Sequence, residues 1–160
     1  MQPIEFSYDV EHRFDATKEE VGSHFRDVEN IARCTSDVET CIRVGEGTYA
    51  WTLVEKRELG LSFQPKYVMN YVWEAADRLH WTTLGFEDKS NTSIFGTVAF
   101  IADTDESCIV RVSERIAFDL PISLITAKIV KAIARRESLS EMRSVLSRMN
   151  SLLTVNRHAS

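Results

Sequence analysis

The chain opens on strict alternation. Ile4, Phe6, Tyr8, Val10, His12 and Phe14 share one parity, the pattern of a long strand with one buried face. Thr17-Lys18-Glu19-Glu20 then reads as a capping box, with Thr17 at the N-cap and Glu20 three residues on. Val21, His24, Phe25 and Val28 follow at helical spacing, and a second short turn of helix holds Ile31 and Ala32. From Val38 to Phe118 the chain returns to strand-like patterning. Breaks fall at Gly45-Glu46-Gly47, from Glu58 to Gly60, at Ala76-Asp77, from Glu87 to Asn91 and from Asp103 to Glu106. Interruptions of hairpin size predict antiparallel neighbours, with about six strands after the helices and about seven in all.

Beyond Pro121 the period changes to that of a helix and holds to about Leu153. Pro121 suits a first-turn position. Ile122, Ile125, Ile129 and Ile133 form one apolar line, whereas Leu139, Met142, Leu146, Met149 and Leu153 form another, rotated around the axis. The change falls at Arg135-Arg136-Glu137-Ser138, where Ser138 and Glu141 have capping-box spacing. The pattern predicts a kink or break there, with the two halves packing on different surfaces.

Length and composition fit one globular domain: 160 residues, 44% hydrophobic and 27% charged. The domain is expected over 1–154, with a frayed tail at 155–160. A net charge of −5 argues against nucleic acid as a partner. The basic cluster Lys128, Lys131, Arg135 and Arg136 has the spacing of one solvated helix side. Cys34, Cys41 and Cys108 are odd in number and lack CxxC spacing, so neither a zinc site nor a disulfide framework is indicated, and a reducing cytoplasm fits. No metal or other cofactor is expected. The N-terminus has no basic and apolar signal regions, and no apolar run is long enough for stable membrane insertion. Oligomeric state is left open.

Strand, two short helices, about six antiparallel strands and a long last helix form a recognisable order. The stretches "VEHRFDATKEEVGSHFRDVENIARC", "LHWTTLGFEDKSNTSIFGTVAF", with Trp81 and Gly96, and "FDLPISLI" resemble the START/Bet v 1-like (SRPBCC) superfamily. Within it, they are similar to the bacterial polyketide cyclase/dehydrase and lipid-transport group. The resemblance covers almost the whole chain but carries no catalytic signature. It implies an α+β helix-grip fold of order β-α-α-β(6)-α, a curved antiparallel sheet wrapped on the C-terminal helix. Between sheet and helix it implies a cavity for a hydrophobic small molecule.

Strand parity then nominates the inward residues. These are Tyr49, Trp51 and Leu53, continuing into Glu55 and Arg57; Phe63, Tyr67, Met69, Tyr71 and Trp73; Leu79, Trp81 and Thr83; and Val110, Val112, Glu114, Ile116 and Phe118. Ile129 and Ile133 would face them from the helix. The strand from Ser93 to Ala102 is apolar on both parities, so its face is open. Polar-tipped aromatics suit a ligand site better than a dry aliphatic core, although packing explains any one of them. Charge on the inward parity is the sharper feature: Glu55, Arg57, Glu114 and His12. An unpaired buried charge costs several kcal/mol, roughly, so these groups must pair, reach water or change protonation. Glu55 and Arg57 lie near a turn, where solvent is the alternative. Glu114 is mid-strand, where the alternatives are a bulge-shifted surface position and a cavity.

Three functions remain. The first is binding or transport of a lipid, quinone or aromatic polyketide-like molecule. The second is a polyketide aromatase/cyclase, with Glu114 or His12 as base and Arg57 and Tyr71 steadying an enolate oxygen. The third is a protein-interaction module.

Overall fold

The structure is a computed structural model and describes residues 1–85 and 90–158, with the side chains of 156–158 excepted. The opening alternation is β1 (Gln2–Phe14), whose inward side chains from Ile4 to Phe14 are buried save for the half-buried His12. Thr17 caps α1 (Lys18–Arg26) in the expected reciprocal box with Glu20. Asp27 then ends α1 and caps α2 (Val28–Cys34), its side chain accepting from the Glu29 N–H. Strands β2 (Val38–Gly45) and β3 (Thr48–Leu53) form a hairpin. Its turn needs Gly47, which has φ 60° and approaches the Tyr71 carbonyl so closely that a Cβ would lie 2.9 Å from that oxygen.

The strand expected to run on through Arg57 stops at Leu53. One further bond in the same register, from the Val54 N–H to the Asp37 carbonyl, closes the β2–β3 ladder. A separate two-stranded ribbon follows, β4 (Lys56–Glu58) with β5 (Leu61–Phe63). Gln64-Pro65 then separates β5 from β6 (Lys66–Ala75). The remaining strands are β7 (Arg78–Thr83), β8 (Thr92–Thr104) and β9 (Ser107–Leu120). The main sheet has seven antiparallel strands in the order β1-β9-β8-β7-β6-β3-β2, the strand number and antiparallel pairing expected from the turns. The β4–β5 ribbon is additional to it. The face of β8 is settled by its partners: Thr92, Ile94, Gly96, Val98 and Phe100 point inward. The turn expected from Glu87 to Asn91 falls largely on residues 86–89, outside the described residues.

The last helix, α3 (Leu124–His158), is continuous. No break occurs at Arg135 to Ser138, and the helix begins after Pro121, with the Ser123 hydroxyl accepting from the Thr126 N–H. Glu141 does not cap a new helix. Its carboxylate accepts from the backbone N–H (2.8 Å) and hydroxyl (2.9 Å) of Ser36, clamping the α2–β2 connection to α3. The second apolar line does enter the core, with Leu146 and Met149 buried and Leu139, Met142 and Leu153 packed against it. The first does so only at Ile122, ahead of the helix: Ile133 is half-buried, Ile125 is 76% and Ile129 49% exposed, and the inward positions of that half are Ala127, Val130 and Ala134. Of the tail expected at 155–160, the backbone as far as His158 is helical, and 159–160 lie outside the described residues.

Candidate functional site

A row of paired residues crosses the sheet beneath α3. Tyr71 of β6 pairs with Trp81 of β7, Trp81 with Gly96 of β8, Gly96 with Glu114 of β9, and Glu114 with Tyr8 of β1. Members of such a row point to the same face. Gly96 leaves an empty place in it, and the Trp81 indole fills that place. A Cβ on Gly96 would lie 2.6 Å from Trp81 Cζ2 and closer still to Nε1 and Cε2. Lying across the glycine, Trp81 Nε1 donates to Glu114 Oε2 at 2.8 Å. From the other side the Tyr8 hydroxyl donates to Glu114 Oε1. The carboxyl of Glu114 is thus held between two aromatic donors on the inner face of the sheet.

Burial pushes the Glu114 carboxyl above its ordinary range, and the two donated hydrogen bonds oppose that rise without cancelling it. The same enclosure raises the phenols of Tyr8, Tyr67 and Tyr71 well above the usual range, with Glu114 adding to each. The Trp51 indole N–H eases Tyr71 downward but closes no hydrogen bond of ordinary length.

Above this row lies a cavity of about 220 Å³ between sheet and α3. Among the residues placed inward from sequence, Trp51, Leu53, Phe63, Tyr67, Met69, Tyr71, Trp81, Val112, Glu114, Ile116 and Phe118 line it. Trp51 and Tyr67 stack with centroids 6.2 Å apart, and Phe63 stacks on Phe118 at 5.0 Å, so much of the wall is flat aromatic surface. The helix contributes Ala134, Met142, Val145 and Leu146 rather than Ile129 and Ile133. Ile129 faces outward, and Ile133 is half-buried outside the lining.

Other nominated residues sit elsewhere. Trp73 stacks on Phe100 at 5.7 Å with the Arg26 guanidinium 4.2 Å from its ring, apart from the cavity. Tyr49 packs edge-on against Tyr71 behind the lining. His12 packs edge-on against Phe14 at 5.5 Å, outside the lining. Arg57 is 79% exposed and pairs with Glu55 at 2.8 Å. Ser62 and then Arg57 hold the Glu55 carboxyl below its ordinary range. The register explains Arg57: Lys56, not Arg57, pairs with Phe63, so Lys56 shares the cavity-facing side of the ribbon. The interruption at Val54-Glu55 changes which parity points inward.

Strand parity therefore missed the polar mouth. Lys56 Nζ lies 3.2 Å from Asp37 Oδ2 and 3.8 Å from Glu137 Oε2, and these residues with Glu141 line both the cavity and an outer cleft. Parity does put Tyr8 on the buried face of the first strand, but its position opposite Glu114 depends on β1–β9 register. Among the described residues no group of His, Cys, Asp and Glu could hold a metal ion, and no helix is long and apolar enough to cross a membrane.

No family model and no curated protein matches the chain. Solved structures do. A START superfamily protein from Mycobacterium smegmatis matches with TM-score 0.64 at 16% identity, over 92% of this chain and 98% of that one. A norcoclaurine synthase point mutant from Thalictrum flavum, in complex with a transition-state analogue, gives 0.66 at 12%, over 100% and 99%. An aromatase/cyclase from Streptomyces sp. R1128 gives 0.63 at 13%, over 91% and 93%. At such identities the likeness is one of fold: the chain has the helix-grip fold of START/Bet v 1-like (SRPBCC) proteins.

Proposed function

On the premise of a helix-grip fold with an aromatic cavity, we propose that the chain binds a compact hydrophobic molecule between its sheet and α3, to carry or present it. The observation supporting this reading is the 220 Å³ space with aromatic walls and one enclosed carboxyl. An apolar cavity of about 150 Å³ accepts benzene, whereas drug-sized ligands occupy about 300–1,000 Å³. The volume therefore suits a molecule of one or two rings, such as a quinone or aromatic polyketide-like compound, better than a long-chain lipid. Native mass spectrometry of the purified protein, with solvent extraction of its contents, is expected to show a co-purifying aromatic compound. A protein that carries no such compound and binds no one- or two-ring probe would overturn the reading.

Glu114 favours a second reading, a cyclase. A carboxyl held by Tyr8 and Trp81, with its pKa raised, is suited to exchange a proton with an enolisable ligand, and one of the structures sharing the fold is an aromatase/cyclase. In that reaction Glu114 serves as base and Tyr71 steadies the enolate oxygen. Arg57, in solvent, and His12, outside the lining, have no part. Glu114→Gln separates the readings: a carrier keeps its ligand, whereas a cyclase keeps the ligand but loses turnover.

A further inference from the structure

We infer that the outward face of the first half of α3 docks on an anionic phospholipid surface. The chain carries −5 overall, yet between Asp119 and Glu137 it has no acidic residue and four basic ones, Lys128, Lys131, Arg135 and Arg136. The bases lie among exposed apolar side chains. Leu124 is 63%, Ile125 76% and Ile129 49% exposed. At 100° per residue, positions 124, 125, 128, 129, 131, 132, 135 and 136 fall within less than half of the helix circumference, and all eight are exposed. The opposite face, Ala127, Val130 and Ala134, meets the core. Arg135 Nε donates to the Ser7 carbonyl at 3.0 Å, fixing the helix against β1 with the apolar stripe turned away.

Apolar side chains flanked by Lys and Arg on one helix face match the boundary between headgroup and acyl chain, where each kind of residue finds its own environment. Charge decides among the possible occupants. Two copies of this face would bring four bases against four. A nucleic-acid duplex would satisfy the bases and leave Ile125 and Ile129 in water. An anionic bilayer satisfies both. The contact is peripheral, because the same helix buries its other side in the protein. The face ends at Arg136, and the next residues, Glu137 and Ser138, line the cavity, so docking sets the mouth beside the lipid. The inference does not depend on what the cavity holds.

The test is flotation of the whole protein with vesicles of phosphatidylcholine alone and with one third phosphatidylglycerol, at low and high salt. The wild-type chain is expected to float with the anionic vesicles only, and less so at high salt. The Lys128→Glu/Lys131→Glu protein is expected to bind at least about tenfold more weakly. The Ile125→Ser/Ile129→Ser protein is also expected to lose binding severalfold. All four sites are exposed, and an unchanged melting temperature confirms folding. Placed in the wild-type background, an Ile125→Trp reporter is expected to shift its emission to the blue on anionic vesicles alone. Equal flotation with both vesicle types, none with either, or anionic binding indifferent to the serine pair overturns the inference. Binding to duplex DNA as tight as to the vesicles does so too.

Discussion

Glu114 is a carboxyl whose charged form the protein disfavours, and that has a measurable sign. Its folded pKa is raised above the ordinary value of 4.5. Below about 4.5 both folded and unfolded chains hold the proton, and the group is neutral to stability. As pH rises through that value the unfolded chain releases its proton first, so the folded state binds more protons and stability falls with pH. The loss ends once pH exceeds the folded pKa. The Glu114→Gln protein lacks this titration but keeps an acceptor for Trp81. The difference in unfolding free energy, variant minus wild type, is expected to grow from the acid end toward neutral pH and then level. Denaturant melts of both proteins across that window measure it, and other titrating groups cancel in the difference. A constant difference would mean that Glu114 reaches water freely. Glu114 was legible because it sits mid-strand, where parity is reliable. Arg57 was misdirected by the same rule, because parity carries no information past the end of a strand, and Leu53 is that end.

Among the elements, β8 matters most for the site through the one side chain it lacks. Gly96 lets Trp81 lie flat across the strand and reach Glu114. In Gly96→Ala the new methyl overlaps the indole, so Trp81 must tilt and the hydrogen bond to Glu114 must open. Overpacking of this kind is expected to cost about 1–3 kcal/mol, read from chemical denaturation, with a change in tryptophan emission at the same time. An alanine protein with wild-type stability and unchanged emission would show that the indole has another place to lie. The sequence marks Trp81 and Gly96 as a pair of neighbouring strands, but their contact needs the register of β7 on β8. The helix shows the same limit. Two rotated apolar lines in α3 are real, yet they mark no break. One line enters the core and the other turns outward at Ile125 and Ile129, and a helix can carry both without bending. A period shows which residues share a face; it does not show what covers that face.

Over the whole molecule, the order of elements was readable because alternation, caps and turn residues are local signals. Cavity size was not, because it is a small difference between the space that sheet and helix enclose and the volume their side chains fill. The eight aromatics nominated by inward parity, Phe118 among them, could have filled that space. Instead Trp73 and Tyr49 pack outside the lining, and about 220 Å³ stays open above Glu114. A ligand that enters this space without rearranging the chain binds only the folded state, and so raises its stability. At a hundredfold excess over Kd the gain is about 2.7 kcal/mol, a rise in melting temperature of about 5–10 °C for a domain of this size. One- and two-ring neutral aromatics are expected to give that rise, whereas a ring of the same size bearing a carboxylate gives less, since its charge would meet Glu114. A saturated long-chain fatty acid is expected to give little, because its chain is longer than a space of about 220 Å³ can hold. Thermal melts against such a graded series decide the point: if the long chain stabilises as well as the rings, the sheet and α3 must separate to admit it, and the ligand class proposed from the cavity volume is wrong.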